Sequence, residues 1–148
     1  MCIIIDANRC GDICSNEKDY VKPLLKWVMK GGKLVSGGKL EDELFKNLKM
    51  RSLLLEWDRS GRIRKFKREE IESMSVEIEG KCKSDDPHVL ALANLSSASI
   101  IVTEDEDLIS DLKNREIVGF RRKIYKENAA SPGHVDHLSK LLSRSGCP

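Results

Sequence analysis

Five carboxylates stand where their chemistry could be shared: Asp6, Glu43, Asp86, Asp105 and Asp107. Asp6 closes the apolar run Ile3-Ile4-Ile5, and Asp105 and Asp107 follow directly on the run from Ser99 to Thr103. If the two runs are neighbouring strands, their acids converge at one edge of a sheet. Asp86 opens one helical segment and Glu43 falls in the first turns of another, so both can face that edge. Carboxylates gathered in a small space repel one another, and their pKa values rise unless cations are present. Hard oxygen ligands suit Mg2+ or Mn2+, which keep several waters and complete their coordination with carboxylates and substrate phosphates. Two such ions can clamp the attacking water and the leaving oxygen of a phosphodiester.

Each acid also has an ordinary reading. Asp86 before Pro87 has the form of a helix N-cap, and Asp105 and Asp107 can cap the short helix after their strand. Glu43 alone reads as a solvated helix face. Asp6 is harder to dismiss, because an acid directly after a buried strand gains nothing from packing. The combination outweighs its members.

The elements that must position these acids alternate between strand and helix. Ile3 to Ile5 and Ser99 to Thr103 are β-branched and uninterrupted, as in strands buried on both faces of a parallel sheet. Residues 17–30 read as a helix, with Pro23 near its first turn and Gly31-Gly32 stopping it. A short strand follows from Lys33 to Ser36. Leu40, Leu44 and Leu48 recur every four residues, which predicts one helix from near residue 39 into the fifties. Asp58 to Gly61 signals a turn, and a helix over 67–79 buries Ile71, Met74 and Ile78. Pro87 starts the next helix, a short one follows Asp105 and ends near Asn114, and a weaker strand lies at about 122–126. Ala129 to Gly133 lead into a last helix from Val135 to about Ser143. The pattern gives an α/β fold of one domain over residues 1–148, a parallel sheet between helices. Ligands in such folds sit at the carboxyl ends of the strands.

Composition narrows the class. The chain has 148 residues, 40% apolar and 34% charged, which suits a globular domain with a real core. Its net charge is only +2, so the average says nothing about partners. The five cysteines (Cys2, Cys10, Cys14, Cys82 and Cys147) form no zinc pattern and read as free thiols in a reducing compartment. No apolar run approaches the ~20 residues of a membrane span. The expectation is a soluble, cytoplasmic protein.

Together these pieces resemble the PIN (PilT N-terminus) domain family of nucleases. They are I-I-I-D-A-N at 3–8, E-D-E-L at 41–44, D-D-P-H-V-L-A-L-A at 85–93 and I-V-T-E-D-E-D-L at 101–108. The likeness covers nearly the whole chain. It implies a Rossmann-like sheet of about five parallel strands between helices, and Mg2+- or Mn2+-dependent cleavage of RNA that leaves a 5′ phosphate and a 3′ hydroxyl. It also assigns roles. Asp6, Asp86 and Asp105 would hold a first metal, with Glu43 and Asp107 completing the site or binding a second. Glu41 is the alternative to Glu43, and Asp85 the alternative to Asp86. Thr103 and Asn8 would support the ligands or contact phosphate. The chain departs from the family at Arg9-Cys10-Gly11-Asp12, which replaces the apolar stretch that leads many members into their first helix.

Six basic residues, Arg59, Arg62, Arg64, Lys65, Lys67 and Arg68, cluster near Trp57 and Phe66. Beside a nuclease site they could form an RNA-backbone track with bases stacked on the aromatics, or a solvated face. Arg121, Arg122, Lys123 and Lys126 form a second, more ambiguous group. His134 and His137 lack an acidic or Cys partner for a metal. The Gly-Gly-Lys runs at 31–33 and 37–39 fail the phosphate-loop pattern and read as turns.

Small members of the family often act as the toxin of a type II toxin–antitoxin pair, which implies an antitoxin partner. Dimers are common among them, and the apolar residues of the 40–57 helix could serve one. The competing readings are a non-catalytic RNA- or partner-binding module on the same scaffold, and a phosphoacceptor receiver domain. The receiver reading wants adjacent acids after the first strand and an acceptor Asp after a middle one, whereas Asp6 stands alone and the 33–36 strand ends in Ser36-Gly37-Gly38.

Overall fold

The structure, a computed structural model, describes residues 2–127 and 133–144. The expected loop through Ala129 to Pro132 and the thiol of Cys147 lie outside the described residues.

The two apolar runs are strands, β1 (Ile3–Ile5) and β4 (Ile100–Val102), and every residue of both is buried. A strand buried on both faces needs a partner on each side and helices above and below. The partners are β2 (Leu34–Ser36), β3 (Ile63–Lys65) and β5 (Lys123–Tyr125). Together they form a parallel sheet in the order β3-β2-β1-β4-β5. β1 and β4 lie in register, Ile3 opposite Ile100 and Ile5 opposite Val102.

Parallel neighbours can only be joined by crossovers, which are right-handed. Leaving β1, the chain moves outward through β2 to β3; leaving β4, it moves the other way to β5. The two halves therefore lay their helices on opposite faces, giving three Rossmann-like layers. One set comprises α1 (Cys10–Ser15), α2 (Val21–Met29), α4 (Leu48–Arg59) and the returning α9 (His134–Ser143). The other comprises α5 (Arg68–Glu79), α6 (Pro87–Ser96), α7 (Glu106–Leu112) and α8 (Arg115–Val118). The helix α3 (Gly38–Phe45) touches α4, α5 and α6. In α6, His88 and the run from Val89 to Ala93 are all buried, so this helix forms the centre of its layer. The strand order reverses between β1 and β4, the position at which folds of this kind bind ligands outside the carboxyl ends of the strands.

The structure departs from the sequence reading in four places. The helix expected from 39 into the fifties is two, because Asn47 caps α4 by accepting the Met50 amide at 3.0 Å. Residues 63–65 form a strand where the sequence suggests only a turn. The first helix begins at Val21 rather than 17, preceded by the short α1. Cys10, Cys14 and Cys82 are free thiols as expected, but Cys2 is disulfide-bonded, which irregular cysteine spacing gave no means to foresee. Among the described residues, no helix is long and apolar enough to cross a membrane.

Candidate metal centre

Asp6 follows β1 at the reversal of strand order and is 5% exposed. Its amide donates to the Val102 carbonyl at 2.9 Å, which fixes the end of β1 against the end of β4. The next residue after Val102 is Thr103, fully buried. Its hydroxyl donates to Asp6 Oδ2 at 2.7 Å and accepts the Asp105 amide at 3.1 Å. Thr103 thus bridges the carboxylate of one acid and the backbone of the other.

Asp105 does cap its helix: Oδ1 accepts the amides of Asp107 and Leu108 at 3.0 and 3.2 Å. Both cap bonds fall on one oxygen, so capping and ligation do not compete for the whole carboxylate. Asp86 stands at the N-cap of α6, yet its side chain makes no capping bond. Pro87 occupies the first helical position, where its missing N–H costs nothing, and the Val89 amide turns to the Asp86 main-chain carbonyl at 3.1 Å instead. The loop before Asp86 is instead fastened by Asp111 of α7, 2% exposed. Its carboxylate accepts the Lys83 and Ser84 amides at 3.0 and 2.8 Å. The Asp86 carboxylate is left for other work.

Glu43 reaches the same place from α3. Gly37 makes this possible: it turns the chain from β2 into α3 at φ +150°, and a Cβ there would lie 2.5 Å from the Phe66 carbonyl oxygen. Only glycine fits both demands. Glu43 Oε2 lies 3.1 Å from Nε2 of His88, and its Oε1 lies 3.9 Å from Lys39 Nζ. Ligand atoms of Glu43, Asp86 and His88 all fall within 4.8 Å of one another.

His88 is the member that sequence reading missed. It is 5% exposed, and its Nδ1 is buried without a hydrogen-bond partner. The available signal was D-D-P-H itself, which puts an imidazole two residues after an uncapped acid in the first turn of a buried helix.

The electrostatics tie the acids together. Burial raises the Asp6 carboxyl above its usual range; the Thr103 hydroxyl draws it down, while the nearby charges of Asp86 and Asp105 push it up again. Burial likewise raises Asp86; His88 and Lys39 oppose the rise, and Glu43 and Asp105 add to it. Desolvation plus like charge is the condition a divalent cation relieves. The donor set fits such an ion: two carboxylates and an imidazole in ligand range, with Asp6 and Asp105 beside them. Imidazole among the donors favours a transition ion such as Mn2+ over Mg2+. Cys10 is no competitor as a nucleophile, since burial, with Cys14 and Asp6 nearby, pushes its thiol up to about 11.

Other expected residues lie apart from this group. Asp107 is exposed at the start of α7 and contributes its amide, not its carboxylate, to the hydrogen bonds described. Asn8 is exposed, and its Oδ1 accepts from Arg9 Nε at 3.3 Å. Arg9, at the departure from the family pattern, binds Glu104 at 2.7 Å and Asp12 at 3.2 Å, buttressing the loop after β4. Glu41 lines a different hollow, with Ser36, Asp58 and Lys65, which leaves Glu43 as the helical glutamate of the group. Asp85 is exposed and lies outside the ligand triad.

The 59–68 basic group is divided. Lys65 pairs with Asp58 at 3.1 Å and Arg68 with Asp42 at 2.7 Å, while Arg64 lies over the Phe66 ring at 4.8 Å. Arg59, Arg62 and Lys67 have no ion pair among the described residues. Trp57 is buried in the core, so it offers no face to a base, contrary to the sequence reading. Arg68, with Lys39, Pro87 and His88, lines an open cavity of about 600 Å3 beside the acids. No family model, no curated protein and no solved structure matches the chain.

Proposed function

We propose that the chain is a metal-dependent endoribonuclease of the PIN type. One observation carries this reading: buried and half-buried carboxylates converge at the switch point of the sheet, and two of them, Asp6 and Asp86, are raised above the usual carboxyl range. Asp86 is the clearest case, an acid at a helix N-cap that does not cap. A binding module without catalysis leaves that arrangement without a use.

Glu43, Asp86 and His88 would hold a divalent ion, Mn2+ or Mg2+, with Asp6 and Asp105 completing its surroundings. Such an ion supplies Lewis-acid stabilisation of charge on a phosphodiester and lowers the pKa of a bound water. The chain's own groups do the rest. Thr103 holds Asp6 by Oδ2, which leaves Oδ1 to accept a proton from the attacking water. Lys39 lines the adjoining cavity and would offset substrate phosphate charge, and the loop pinned by Asp111 keeps Asp86 in position.

The test is cleavage of single-stranded and structured RNA in Mn2+, run beside Asp6→Asn. The variant is expected to keep the fold, read by circular dichroism, and to lose cleavage. Equal cleavage by both in a clean preparation overturns the reading. RNA binding without products in any metal would favour the binding module instead. A toxin role rests on the family resemblance; its test is growth arrest on expression of the wild type and not of Asp6→Asn, relieved by an antitoxin partner. The dimer reading has Leu48 and Leu55 of α4 as exposed candidates.

A further inference from the structure

A second cavity, of about 460 Å3, lies between β5 and α9, on the opposite side of the sheet from the 59–68 group. Six cations line it: Lys113, Arg122, Lys123, Lys126, Lys140 and Arg144. No Asp or Glu among the described residues lines it, and none of the six takes part in an ion pair among them.

Arg122 makes the imbalance a buried one. It is 3% exposed, and its guanidinium donates to the carbonyls of Phe120 at 2.8 Å and Ala93 at 3.1 Å. The Ala93 bond answers a carbonyl in the last turn of α6, but among the described residues no carboxylate answers the charge, and Nε is buried without a partner. Burial lowers this guanidinium to about 10. An anion in the cavity would supply the missing counter-charge.

Two aromatic features flank the cations. Phe120 is 44% exposed, with the Arg122 guanidinium 3.4 Å from its ring centre. On α9, His134 and His137 stack with ring centres 6.2 Å apart, and His137 lines the cavity. Cations that follow a backbone, interleaved with rings on which bases stack, are what a single strand of nucleic acid needs. The register supplies direction. Val102 pairs with Tyr125, so Lys126 stands beside Thr103 at the edge that carries Asp6 and Asp105. From there the cations run back along the edge strand to Lys123 and Lys113.

We propose that the β5–α9 cavity binds the phosphate backbone of single-stranded RNA, extending a strand that reaches the acid cluster. The identity of the polyanion rests on the ribonuclease reading; the binding does not, because it is measured without metal. The probe is a fluorescein-labelled single-stranded RNA of about a dozen nucleotides, followed by anisotropy in EDTA over a range of salt. Lys123→Glu/Lys140→Glu, with both side chains exposed, is expected to weaken binding at least tenfold. It should also flatten the log-affinity against log-salt slope by about 0.7 for each phosphate left without its cation. Phe120→Ala should cost about fivefold or more by removing a stacking ring. Asp6→Asn, without cleavage, should still bind. Unchanged affinity and slope in the double variant, with thermal melts matching the wild type, overturn the proposal. So does displacement of the RNA by equimolar mononucleotide, which marks a site for a lone phosphate, or a preference for anionic phospholipid vesicles over RNA.

Discussion

Thr103 holds the Asp6 carboxylate from behind, donating a 2.7 Å hydrogen bond to Oδ2 while the Asp105 amide bonds to the same hydroxyl at 3.1 Å. One side chain thereby fixes acids that follow two different strands. Thr103→Val keeps the shape and removes both bonds. Leaving the buried partners unsatisfied should cost about 1–3 kcal/mol, read from urea denaturation. The hydroxyl is also the main influence drawing the Asp6 carboxyl down, so the acid limb of the cleavage profile should move to higher pH. Thr103→Ser should restore both.

The pH dependence of stability has an unusual sign here. Asp6 and Asp86 are both raised above the ordinary value of 3.8, burial being the first cause in each. A carboxyl raised by folding binds its proton more tightly in the native chain, so the native state carries more protons between the unfolded and folded pKa values. These two acids therefore stabilise the fold in acid, and their contribution is lost as pH rises through that window. At about pH 7, above the ordinary carboxyl range, metal-free Asp86→Asn should melt higher than the wild type. Mn2+ should raise the melting temperature of the wild type there, with the effect fading near pH 4. A metal-free Asp86→Asn that melts lower at neutral pH would count against the raised carboxyl.

Asp111 offers a test of the loop that carries Asp86. Its carboxylate accepts two backbone amides, Lys83 and the buried Ser84, and hydrogen bonds to a charged group are worth about 1.5–3 kcal/mol. Asp111→Ala should lose at least that much stability. It should also weaken Mn2+ binding by isothermal titration, although Asp111 is not itself a ligand. Normal metal affinity in a folded Asp111→Ala chain would mean that the loop holds Asp86 without it.

Gly37 should not tolerate a side chain. Alanine there meets the Phe66 carbonyl oxygen at 2.5 Å and sits at positive φ, and a strained backbone of this kind costs about 1–3 kcal/mol. Because the turn aims α3, Gly37→Ala should lower metal affinity as well as stability. An equivalent change at Gly61, which is also at positive φ but has open space around it, should affect stability alone.

What the sequence revealed follows from where hydrophobic burial leaves its mark. β1 and β4 were legible because three consecutive β-branched residues, buried on both faces, have few other uses. β3 was not: Ile63-Arg64-Lys65 is an edge strand with one apolar residue, and its neighbours resemble a charged turn. The break between α3 and α4 was hidden because Leu48 continues the four-residue phase of Leu40 and Leu44, although it is 74% exposed. In the site, Asp6 and Asp105 announced themselves by following buried strands, and the structure brings them together. Glu43 was legible only through the family resemblance. His88 and Asp111 were not legible, since an imidazole early in a helix and an acid late in one are ordinary until their partners are known. Asp111's partners are backbone amides, which have no sequence signature.

The short helix α7 carries Asp105 at its N-cap and Asp111 near its other end. The first of these is itself one of the acids; the second grips the loop that ends in Asp86. The helix thus acts as a lever with one arm on each of two carboxylates that come from different parts of the chain. Removing that grip at Asp111 is expected to disturb Asp86 through its loop while leaving the Asp105 cap bonds in place. The pull of one short helix on two of the acids is thus separate from the turn at Gly37 that aims Glu43.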